Sequence, residues 1–169
     1  AASDVYKRQS DAGSIPASLR QIAAEHAIQR VIGEYGRGVD GRDFERLRRC
    51  FHSDATITYG SGPTRALEDA ITWLEKVTVP PFALSHYFGP ALVDLSEDGR
   101  SASCVTWCIN TNQYPRGADG EARQTVSGLR YDDVFALRDG AWRIVERRNQ
   151  TEWTVDVEGN ARLPLPGGA

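Results

Sequence analysis

From about Ser18 the chain keeps a rhythm of three and four: Leu19, Ile22, Ala23, His26, Ala27, Arg30, Val31, Glu34, Tyr35 and Gly38 follow it, the largest apolar side chains along one stripe. The spacing predicts an amphipathic helix ending at Gly41. A second short helix is predicted from Asp43 to Cys50, turning Phe44, Leu47 and Phe51 inward, and ATITYG reads as a short strand closed by Tyr59. ALEDAITWLEKV offers Leu67, Ile71, Leu74 and Val77 to a core and stops before Pro80 and Pro81, since residues preceding proline disfavour helical conformation.

Beyond those prolines the period drops to two. LSHYFGPALVDL, SASCVTWCINTNQY, ARQTVSGLRYDDVFAL and AWRIVERRNQTEWTV read as long strands joined by turns at EDGR, PRGADG and RDG. Helices followed by antiparallel strands predict an α+β domain. Its form is a cone-shaped, curved, mixed or antiparallel sheet wrapped around about three N-terminal helices, an α+β barrel with its site inside the cone. The domain is expected over residues 18–157, with a polar N-terminal tail at 1–17. The C-terminal tail, 158–169, contains LPLPGGA, which cannot extend a sheet interior.

A length of 169 residues suits one such domain, and 40% hydrophobic with 25% charged residues is ordinary for a soluble protein. The net charge of −3 argues against a nucleic-acid partner, so the cluster Arg46, Arg48 and Arg49 reads as a solvated helix face. No apolar run approaches a bilayer span and the first residues lack a secretion-signal pattern, so the expectation is a cytoplasmic protein without a membrane partner. Cys50, Cys104 and Cys108 form no CxxC pair and are read as packing residues, Cys104 and Cys108 on one strand face.

The candidate chemistry narrows to a few side chains. His26 and His52 read as surface or structural residues, whereas His86 lies between Leu84 and Phe88 on the inward face of the first long strand. Asp40 falls on the last turn of the first helix, where the backbone dipole repels a carboxylate. It could cap the second helix; if Asp43 does so instead, Asp40 is free to turn towards the cavity and requires a cationic or hydrogen-bonding partner, which His86 would supply. A carboxylate on one imidazole nitrogen raises the basicity of the other. Tyr35, Tyr59, Tyr131, Asn110, Asn112 and Arg148 are candidates to position substrate and stabilise charge, Tyr35 reading equally as a helix-core aromatic. Metal ligation lacks supporting spacings, no phosphate loop is present, and no cofactor is expected.

GVDGRDFERLRRCF, DATITYG, SHYFGPALVDL and VFALRDGAWRIVERRNQTEW resemble the SnoaL-like branch of the nuclear-transport-factor-two-like superfamily over roughly residues 18–157. Within it, the pairing of Asp40 with His86 is similar to scytalone dehydratase and hexachlorocyclohexane dehydrochlorinase, which implies a histidine base oriented by an aspartate. The resemblance further implies that Tyr59 polarises substrate, that Tyr131 and Leu129 line the cavity and that Arg148 assists the departing anion; by strand alternation Leu84 and Phe88 share the inward face of His86, and Arg147 points the other way, towards solvent. The dehydrochlorinase has lysine in place of Tyr35, and scytalone dehydratase a second histidine near Asn112.

The expected function is a cofactor-independent lyase, of dehydratase or dehydrohalogenase type, acting on a small, mostly apolar cyclic substrate. Isomerisation, cyclisation or non-catalytic small-molecule binding are the alternatives. An apolar outer sheet face is expected to bring copies together as a trimer or dimer.

Overall fold

The computed structural model describes residues 17–78, 83–114 and 123–157. In chain order they form α1 (Ala17–Asp40), α2 (Phe44–Arg49), β1 (Phe51–Tyr59), β2 (Thr64–Ala66), α3 (Leu67–Val77), β3 (Ala83–Phe88), β4 (Leu92–Leu95), β5 (Ser101–Tyr114), β6 (Arg123–Arg138) and β7 (Ala141–Val157). The strands make one seven-stranded sheet in the order β2-β1-β7-β6-β5-β3, with β4 also paired to β5. All neighbours are antiparallel except β1 and β7, which run parallel. The architecture is the expected α+β one, but the sheet does not close, so barrel is the wrong word for it.

The buried face of α1 is Ala24, Ile28, Ile32, Tyr35 and Val39, displaced from the predicted stripe, whose Leu19 and Ile22 are exposed. The helix ends in a Schellman arrangement. Asp43 N–H donates to Gly38 O at 2.8 Å and Arg42 N–H to Val39 O at 3.1 Å. The left-handed residue is Arg42, at φ 54°, and its side chain donates to the carbonyl of Thr78 after α3. Asp43 then caps α2, accepting from Arg46 N–H at 2.9 Å, which leaves Asp40 unoccupied by capping.

The strand predicted as LSHYFGPALVDL is broken at Gly89–Pro90, and its halves pair with successive stretches of β5: Phe88 opposes Cys108 and Leu92 opposes Val105. Proline has no N–H to give the ladder, and the extra residue shifts the alternation, so Leu92 points outward. The β6–β7 hairpin turns through Asp139 and Gly140, both at positive φ, as a two-residue primed turn requires. The turn predicted at PRGADG and both tails lie outside the described residues.

A bulge in β7 decides what this strand offers the core. Val134 opposes Glu146 but Phe135 opposes Ile144, so Val145 is the supernumerary residue. Regular alternation from Ile144 would turn Glu146 and Arg148 inward; the bulge turns Arg147 and Asn149 inward instead. Arg148 is exposed, which corrects the assignment of Arg148 to the cavity and of Arg147 to solvent.

Candidate active site

Gly36 lets α1 lie close against β3: a Cβ there would stand 2.9 Å from Cε2 of Phe88 and 3.8 Å from Cβ of His86. This approach sets Asp40, one turn later, beside His86. The carboxylate holds the histidine at two points, Oδ1 accepting from Nδ1–H at 2.6 Å and Oδ2 from the backbone N–H at 2.9 Å. Because β3 is the last strand of the sheet among the described residues, that backbone donor faces away from β5 and has no ladder partner among them. The two donors answer the repulsion at the helix end. A carboxylate can only accept, so Nδ1 carries the hydrogen and Nε2 of the neutral ring carries the lone pair. The imidazole is 8% exposed and Asp40 28%.

His86 looks into a cavity of about 350 Å³. Tyr35, Tyr59, Leu84, Asn110, Asn112, Leu129 and Tyr131 all line it, so the structure gathers most of the sequence-derived candidates in one place. Asp40 is not part of that wall. Nor is Phe88, contrary to expectation; it stacks behind His86 at 5.9 Å between ring centres and packs edge-on to Tyr35 at 6.3 Å. Trp73, Leu74 and Asn149 also line it, with Val39, Val77, Thr78 and Tyr114, and were not anticipated as site residues. Trp73 was legible as one more helix position and shows its role only by stacking on Tyr59, 5.2 Å away.

The hydroxyls of Tyr35 and Tyr59 meet at 3.1 Å. Burial pushes both phenols up from their ordinary range, that of Tyr59 further, and does the same to Tyr131. Both hydroxyls are neutral, and in their mutual contact one donates and the other accepts. Beneath them lies a fully buried ion pair: Arg147 gives Nε to Asp133 Oδ1 at 2.7 Å and a terminal nitrogen to Oδ2 at 2.6 Å. Burial opposes the Arg147 charge and the Asp133 carboxylate more than restores it, so the guanidinium stays protonated. Its other terminal nitrogen has no hydrogen-bond partner among the described residues; the cation instead sits 3.9 Å from the centre of the Tyr35 ring and 4.7 Å from that of Tyr131.

His52 is buried and reaches the carbonyl of Ala136 at 3.0 Å, and His26 is exposed; neither touches the cavity. Burial pushes the Cys50 and Cys104 thiols up to about 11 and Cys108 to about 12, which keeps them protonated packing groups. Among the described residues no three His, Cys, Asp or Glu side chains are grouped to hold a metal ion, and no helix is long and apolar enough to cross a membrane.

The same fold occurs in solved structures of low sequence identity. Hexachlorocyclohexane dehydrochlorinase LinA-type3 from Novosphingobium barchaimii LL02 superposes with a TM-score of 0.74 at 19% identity, covering 88% of this chain and 99% of that one. A scytalone dehydratase-like protein of Novosphingobium aromaticivorans DSM 12444 gives 0.70 at 20% identity, covering 90% and 99%. In sequence, the uncharacterized protein Rv2910c of Mycobacterium tuberculosis (strain ATCC 25618 / H37Rv) is 31% identical over 133 residues, 77% of this chain and 86% of the relative. The SnoaL-like domain model matches residues 20–148, and the chain belongs to the SnoaL-like domain family.

Proposed function

We propose that this protein is a cofactor-independent lyase, of dehydratase or dehydrohalogenase type, in which His86 is the base and Asp40 the group that orients it. The observation that carries this reading is the 2.6 Å contact between Nδ1 and Asp40, which directs the lone pair of Nε2 at the cavity. In the proposed step Nε2 takes a proton from carbon, the electrons of the broken C–H bond become the new π bond, and the leaving group departs from the adjacent carbon with its bonding pair. Asp40 stabilises the imidazolium so formed. General-base assistance of this kind is worth on the order of 10²–10⁴ in rate.

Of the two hydrogen-bonded phenols, Tyr35 and Tyr59, the one that accepts from the other keeps its own hydrogen to offer to the oxygen or halogen where charge accumulates. Since burial raises both, neither surrenders its proton readily. A departing hydroxyl would then take its proton from the His86 imidazolium, which makes the elimination of water a same-face reaction. Apart from His86, the wall is made of aromatic, aliphatic, amide and hydroxyl groups, which favours a neutral, mostly apolar cyclic substrate. Likeness to a dehydrochlorinase and to a scytalone dehydratase-like protein supports the reaction class by analogy of fold.

The test is a screen of hydroxylated and halogenated cyclic compounds for release of water or halide, repeated with His86→Gln. Loss of turnover by at least about 10²-fold with ligand binding retained is expected. Unchanged turnover removes His86 from the mechanism, and binding without any turnover favours a non-catalytic module. The outward row of Tyr87, Ile109 and Trp153 across β3, β5 and β7 is exposed, and an apolar face of this kind supports assembly with further copies as a dimer or trimer. Light scattering on the purified protein would return a multiple of the chain mass, and a monomer at micromolar concentration would refute the assembly.

A further inference from the structure

We propose that Asn110 is a positioning residue whose side-chain amide is coupled to the proton state of His86; this rests on the reading of His86 as the base. With a hydrogen on Nδ1, the neutral ring has its lone pair on Nε2, and Asn110 Nδ2 stands 3.2 Å from it. An amide can meet a lone pair only through its NH2 group. The other end of the same amide, Oδ1, accepts from Asn112 Nδ2 at 2.5 Å, and that nitrogen also lies 3.3 Å from Thr125 Oγ1. Both hydrogens of the Asn112 amide therefore have acceptors. Asn112 fixes the orientation of Asn110, and Asn110 in turn matches the ring form whose lone pair is on Nε2.

When Nε2 takes a proton, the NH2 group of Asn110 becomes a donor facing a donor. The amide must turn about to offer Oδ1, and Asn112 then loses its acceptor. Proton uptake at His86 and rotation of Asn110 are one event, reversed when the proton leaves. In the resting state the amide covers the lone pair, so a substrate C–H reaches Nε2 only by displacing it. The titratable neighbours are Asp40 and Tyr35 from α1, Tyr59 from β1, Cys108 and Tyr114 from β5, Tyr131 from β6, and the Asp133–Arg147 pair beneath the phenols. Apart from that mutually neutralising pair, Asp40 is the charged one, since burial holds the Tyr35, Tyr59 and Tyr131 phenols and the Cys108 thiol in their neutral forms.

The experiment is ¹H–¹⁵N correlation spectroscopy of the intact protein with ¹⁵N-labelled histidine and asparagine, at mildly alkaline pH and without ligand. In the native protein the His86 Nε2 resonance is expected at the position of a lone-pair nitrogen and Nδ1 at that of an N–H; Nε2 appearing as N–H overturns the proposal, and this measurement needs no variant. Asn110→Asp puts an acceptor against Nε2, so at the same pH both ring nitrogens are expected to carry hydrogen. Retention of the native pattern there also overturns it. Asn112→Leu removes the group that orients Asn110, and the Asn110 amide signals are expected to broaden by exchange; sharp, unmoved signals count against the coupling. The expected native spectrum together with full turnover in His86→Gln would sink the lyase reading and leave the coupling intact. An Nε2–H ring with turnover abolished in His86→Gln would do the opposite.

Discussion

A methyl group at Gly36 would meet the Phe88 ring at 2.9 Å, and Phe88 is stacked on His86, so the smallest possible side chain at this position presses on the candidate base through one intermediary. Replacing glycine by alanine inside a helix gains about 1 kcal/mol of propensity, whereas overpacking costs about 1–3 kcal/mol. Gly36→Ala is therefore expected to lose up to about 2 kcal/mol in urea unfolding. It is also expected to weaken the Nδ1–H contact, seen as faster exchange of that hydrogen with solvent. Equal stability and exchange would show that Phe88 moves aside without consequence. Asp40 illustrates the same economy of position. Its place on the last turn looks unfavourable for a negative charge until the two donors of His86 are counted.

At the scale of elements, β6 and β7 are joined by the Asp133–Arg147 pair, both side chains at 0% exposure. Removing one partner of such a pair leaves an uncompensated buried charge and costs about 3–5 kcal/mol, while replacing both by apolar residues is often neutral. Asp133→Asn is expected to destabilise by that amount in denaturant titration. The double replacement Asp133→Leu with Arg147→Met should recover most of the loss, and a double variant no more stable than the single one would mean that the ions do more than balance each other. This pair also marks where sequence reading stops. His86 was legible because β3 is short and regular, so alternation from Leu84 gives the correct face, and because Asp43 visibly competes with Asp40 for the cap. Arg147 and Asn149 were not, since the bulge at Val145 follows from how β7 must match both β6 and β1, whose registers each shift along it. Nothing local to ERRNQ encodes that. The Asn110–Asn112 relay was likewise out of reach: two-residue spacing puts both on one face but says nothing about which amide end meets the ring.

For the molecule as a whole, the buried acids set an alkaline limit. Burial raises the three thiols from 9.0 to about 11 or 12 and lifts Tyr35, Tyr59 and Tyr131 above 10.0. A group whose folded value lies above its unfolded one binds its proton more tightly when folded. Its contribution is complete below the unfolded value and is lost as pH climbs towards the folded one. The melting temperature is therefore expected to hold from neutrality to about pH 9, then to fall, and more steeply above about pH 10, with tyrosinate absorbance from the buried phenols appearing only on unfolding. Gradual tyrosinate formation at constant melting temperature would contradict this. The grip of Asp40 on the backbone of His86 has a last consequence, for solubility. Strand β3 borders the sheet, and an open border invites a foreign chain to add itself as a further strand. At His86 the hydrogen that an incoming strand would need is already taken by the protein's own helix, so the carboxylate assigned to the chemistry also guards the sheet against aggregation.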